Sequence, residues 1–145
     1  MLVQMGLQVI LMLKKLNNFL KNELHVIDLH FSEFASSIGV MLIGYSLYID
    51  RHYFFWPPSL STLENDERID ILIICLGLGL LICTLTNNWS KAWTSFFLIM
   101  CGAVCLVIAG MQVLHMIYAG QNLMGHNTIG DFIVFILLVR AAYKV

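Results

Sequence analysis

A chain of 145 residues that is 59 % hydrophobic and 12 % charged, with a mean hydropathy of +0.82, departs from soluble domains, in which about a quarter of residues are charged. A soluble fold of this size has too little interior to hide so much apolar surface, so the composition points to lipid as the solvent. The net charge of -1 and the lack of any Lys or Arg run exclude a basic field for holding nucleic acid.

In the first stretch, MLVQMGLQVILMLKK, the apolar residues precede the lysines and no small-residue cleavage site follows. This reverses the order of a secretory signal, so no cleavage is expected, and Met5 and Met12 are alternative starts. Leu16, Leu20, Leu24, Ile27, Phe31 and Phe34 then recur at three-to-four spacing, which predicts an amphipathic segment over residues 1–33. Two readings of it stand. It lies on the bilayer surface, drawn to anionic lipid by Lys14, Lys15 and Lys21, or it packs on the bundle or on a sister subunit.

Residues 34–145 predict a bundle of four transmembrane helices, making the fold all-α and polytopic. The first span covers about 34–49 and is the least apolar. Tyr53, Phe54, Phe55 and Trp56 follow it as aromatic anchors at headgroup level, before Pro57 and Pro58 stop the helix. In the acidic loop beyond, Ser61 and Glu64 have the spacing of a capping box, and the later acids fall in the first turn of the next helix, where its dipole favours negative charge.

The second and third spans, about 69–87 and 92–118, are runs at or beyond the roughly 20 residues needed to cross hydrocarbon. Their turn, NNWSK, is short enough to force an antiparallel hairpin, with Trp89 and Trp93 at the interface and Lys91 in water. A polar loop leads to a fourth span at about 130–143, with Thr128 and Asp131 again at capping-box spacing. An inside N-terminus puts Lys14, Lys15, Lys21, Lys91, Arg140 and Lys144 in the cytoplasm and only Arg51 and Arg68 outside, so both termini are expected to be cytoplasmic in the cell membrane.

Helices in lipid associate through small residues. Cys75, Gly79 and Cys83 form one small-residue stripe, and Cys101, Cys105 and Ala109 form another. The stripes either pack on each other within the chain or, with Ala35 and Gly39 of the first span, mediate contacts between copies. Glu33 and Arg140, both at inner edges, are placed to pair across the bundle. Asp131 and His115 are expected at the outer edge, which leaves no ionisable group near the midplane, where a proton-coupled carrier holds its carboxylate.

The cysteines lie within spans and contain no CxxC, which favours packing over redox or zinc chemistry. His25 and His30 belong on one side and His52, His115 and His126 on the other. His30 and Glu33 alone do not define a metal site. No GxSxG, HExxH or phosphate loop occurs. No catalytic residue, metal or cofactor is therefore expected.

The short chain, several spans, charged N-terminal segment and clustered starts give a layout that resembles holins and other small prophage-type membrane proteins. The resemblance implies a non-enzymatic protein that acts by self-association in the bilayer as a homo-oligomer. The alternatives are an accessory subunit beside a larger membrane transporter or enzyme, and a small channel lined by hydroxyls and Gln112.

Overall fold

A computed structural model describes residues 29–50, 54, 66–86, 90–120 and 124–144, together with 12, 14, 15 and 17. Four α-helices account for nearly all of these: α1 (Phe31–Ile49), α2 (Glu67–Thr86), α3 (Lys91–Ala119) and α4 (Met124–Ala142). Three of them, α1, α2 and α3, are long and apolar enough to cross a membrane. The amphipathic character expected of residues 1–33 rests mostly on positions outside the described residues.

Each helix turns one face to a shared core. On α1 that face is Glu33, Ser36, Ser37, Val40, Gly44 and Leu47; on α2 it is Asp70, Ile73, Gly77, Leu80, Cys83 and Thr84. The three-to-four alternation is that of a helix buried along one stripe. The outward faces carry Leu42, Ile99, Val107, Ile117 and Ile136, each more than half exposed. Large apolar groups outside and polar groups inside suit a surround of lipid.

The packing closes a ring. α1 lies against α2, α2 against α3, α3 against α4 and α4 against α1, with the closest packing in the pairs α1–α2 and α3–α4. Gly44 faces Ile74 while Gly77 faces Met41, so α1 and α2 run antiparallel. Gly79 meets Phe97 of α3, and Gly102 lies near Phe135 of α4.

Local chemistry sets the helix ends. Asp66 begins α2, its Oδ1 accepting the Arg68 amide at 2.9 Å, so Asp66 does the work expected of a side-chain cap. Ser61 and Glu64 lie outside the described residues. Glu67 and Asp70 occupy the first turn of α2, as anticipated. Gly120 ends α3 with φ 67°, the left-handed conformation that glycine adopts without Cβ strain.

The start of α4 corrects the sequence reading. The helix begins at Met124, six residues before the expected Gly130, so Thr128 and Asp131 are interior helical residues and not a capping box. Both are 5 % exposed.

Candidate functional site: a buried carboxylate beside an open cleft

α3 and α4 bring their polar residues together at the end of the bundle near the connection between them. Cys101, Cys105, Ile108, Gln112 and His115 recur along the buried face of α3, and Thr128, Asp131, Leu138 and Ala141 along that of α4. Asp131 stands seven residues after Met124, and Gln112 seven before Ala119. At about 1.5 Å per residue both lie about 10 Å from their helix ends, hence at matching depth.

The Gln112 side chain hydrogen-bonds to Asp131. A carboxylate only accepts, so the Gln112 amide nitrogen is the donor. The other carboxylate oxygen, Oδ2, is buried and has no hydrogen-bond partner among the described residues. A buried acceptor left so carries an uncompensated desolvation penalty.

One turn beyond Gln112, His115 is fully buried, with Nδ1 at 3.1 Å from the Met111 carbonyl oxygen. The carbonyl can only accept, which places the proton on Nδ1. Phe54 meets the imidazole edge-on, with centroids 5.3 Å apart. This corrects the expectation for Phe54: it is 4 % exposed and inserted against His115, because the contact buries both rings together. Its neighbours Tyr53, Phe55 and Trp56, and also Trp89, lie outside the described residues. Trp93 is 54 % exposed near the start of α3.

Beside Asp131 a cleft of about 370 Å³ opens between α1, α3 and α4. Leu42, Ile43, Leu47 and Val134 supply apolar walls, while Ser46, Gln112, Asn127 and Asp131 supply polar atoms. The Ser46 hydroxyl donates to the Ile43 carbonyl at 2.8 Å, so its oxygen faces the cleft as an acceptor.

Glu33 is also buried, at the opposite end of the bundle. Its Oε1 is 3.3 Å from His30 Nδ1, and Oε2 has no partner among the described residues. The expected pairing with Arg140 is absent: Arg140 is exposed, and among the described residues the ionic contact of Glu33 is His30. Three residues of spacing on one helix give His30 the shorter reach. A third buried acid, Asp70, lies in the first turn of α2, and Tyr48 donates to the neighbouring Glu67 at 3.2 Å.

The small residues divide. Cys101, Cys105 and Ala109 are at most 1 % exposed, and Cys83 is buried, all within the core. Gly79 packs on Phe97 of α3, and Gly39 packs on Val134 of α4. Ala35 is half-buried, and Cys75 is exposed. Contacts within the chain therefore occupy most of both stripes. The exposure of Cys75 follows from geometry: two residues past Ile73, it is rotated by about 200° from the core stripe.

Among the described residues no three His, Cys, Asp or Glu side chains gather to hold a metal ion. Asp131 in the interior is what sequence reasoning missed. The spacing of Thr128, Asp131, Val134, Leu138 and Ala141 carries the helical signal through the polar GHNT stretch. No family model, curated protein or solved structure matches the chain.

Proposed function

We propose that this chain is a small non-enzymatic integral membrane protein whose four helices all cross the cytoplasmic membrane, with both ends of the chain in the cytoplasm, and whose work is to hold or pass a small solute at the cleft beside Asp131. The observation that carries the reading is the Asp131–Gln112 pair, set two turns into the bundle and beside an opening. An acid is costly there and is retained where it serves a purpose. The small-channel alternative anticipated a lining of hydroxyls and Gln112, and Asp131 adds to that lining the charge it lacked.

Two cysteine substitutions test this. Ser61→Cys should react with an impermeant thiol reagent in intact cells while Ser90→Cys should not; the reverse pattern overturns the orientation. Ser46→Cys should be labelled by a small hydrophilic thiol reagent in reconstituted protein, above the level of the parent chain. Protection equal to that of the parent would mean a closed, dry cleft and would end the solute reading.

A second reading is self-association, now on a different surface from the expected stripes. Ala103 and Gly110, seven residues apart, share an outward strip of α3, and no atom lies within 4 Å of a Cβ built on Gly110. A sister helix fits against such a strip. Gly110→Leu should then reduce the assembled size in detergent. An unchanged size, with co-purification of a larger protein, favours the accessory-subunit role.

A further inference from the structure

We propose that the cleft beside Asp131 takes one primary amine, in its ammonium form, carried on a compact apolar body. The inference rests on the solute reading above and adds the chemical class. Charge comes first. Among the described residues that line it, the cleft has one carboxylate and no cationic side chain, which disfavours an anion and favours a cation.

The kind of cation follows from the walls. A bare calcium or magnesium ion takes about six or more oxygen ligands, whereas the described lining offers one carboxylate and the side-chain oxygens of Ser46, Gln112 and Asn127 among the apolar Leu42, Ile43, Leu47 and Val134. Those walls suit hydrocarbon, and about 370 Å³ accommodates a ring or short chain. An ammonium group brings three N–H donors and no acceptor. Acceptors for two of them are present, and the third can face water in the open cleft. Asp131 lines the cleft and among the described residues its Oδ2 has no hydrogen-bond partner, so a turn of the carboxylate presents an acceptor there, and the Ser46 oxygen accepts while its proton is engaged with Ile43. The Gln112 amide donor holds the other side of the carboxylate and fixes its orientation.

The primary amine is also distinguished from a quaternary one. A quaternary ammonium has the charge but no N–H, and would leave Oδ2 as bare as before. A neutral alcohol of the same shape would gain the walls without the charge-assisted bond.

Benzylamine is the probe, with benzyltrimethylammonium and benzyl alcohol as controls, each measured by equilibrium dialysis against the full chain in lipid nanodiscs. Saturable binding of benzylamine at one per chain is expected, at least tenfold tighter than either control. Asp131→Asn should weaken benzylamine at least tenfold and leave benzyl alcohol unchanged. Leu47→Trp, which fills the cleft without touching the charge, should weaken both.

Equal binding of benzylamine to the parent and to Asp131→Asn, or no saturable binding at all, overturns the assignment. Should Ser46→Cys be labelled while benzylamine fails, the solute reading survives and only the ligand class falls. Should Ser46→Cys be protected, the solute reading falls first. Helical circular dichroism of each variant separates lost binding from lost fold.

Discussion

The two most closely packed helix pairs meet in different ways. In α1–α2 the backbones themselves approach: a Cβ on Gly77 would lie 3.0 Å from both the Met41 nitrogen and the Ser37 oxygen, and one on Gly44 would lie 3.0 Å from the Ile74 nitrogen. In α3–α4 the glycines are slack. Gly102 would only touch Phe135 at 3.9 Å, and Gly110 and Gly130 meet nothing. Both pairs bury polar groups, Ser32, Glu33, Ser36, Ser37, Asp70 and Thr84 in the first and Gln112, His115, Thr128 and Asp131 in the second, so the difference lies in how closely the backbones meet. Close backbone packing is how membrane helices bind one another without a hydrophobic drive between them. One pair thus serves as a frame closed by backbone contact, and the other meets through side chains, with a half-satisfied carboxylate beside an open cleft.

The contrast can be broken most severely at Gly77. A branched side chain there collides with backbone that cannot move aside, so Gly77→Val should cost about 3 kcal/mol or more, read as earlier loss of helical signal in an SDS titration. Tolerance of Gly77→Val would show that α1 and α2 are not locked.

At Asp131 the sign should reverse. Removing a half-satisfied buried carboxylate in favour of a similar-sized apolar group should raise stability by about 1–2 kcal/mol in Asp131→Leu. A loss of that size would make Asp131 part of the frame.

Gly110→Ala should stabilise by about 0.5–1 kcal/mol, since it reduces the entropy lost by an interior helical glycine and has open space around it. The smallest effect belongs to Arg140→Gln, which should leave the SDS midpoint unchanged because Arg140 is exposed and Glu33 contacts His30. A clear drop would restore an ion pair across the bundle.

The two most apolar spans, one from each pair, were the most legible elements. The apolar runs over 71–86 and 92–118 and the break between them located α2 and α3 to within about two residues, as length and hydropathy do for membrane helices. Which faces meet was harder to read. The i, i+4 rows of Cys75, Gly79 and Cys83 wind around α2, whereas the buried stripe alternates threes and fours through Ile73, Gly77, Leu80 and Thr84. The interior place of Asp131 was hidden by a helix start. Gly125, His126, Asn127 and Thr128 read as loop by composition, yet they are helical in α4. Tertiary contact overrides weak propensity at such ends, and two turns of error moved Asp131 from the rim to the interior.

The length of α3 has a consequence for where this protein can reside. It has 29 residues against 19 or 20 in each of the other helices. At about 1.5 Å per residue α3 is about 43 Å long, beyond a hydrocarbon layer of about 30 Å, while the others match that layer. Its stretch from Ala92 to Tyr118 contains no acid, lysine or arginine that would halt insertion. A bilayer accommodates such a helix by tilting it or by thickening around it. Beside α1 and α2, whose lengths match the layer, lipid chain length then becomes a force on α3.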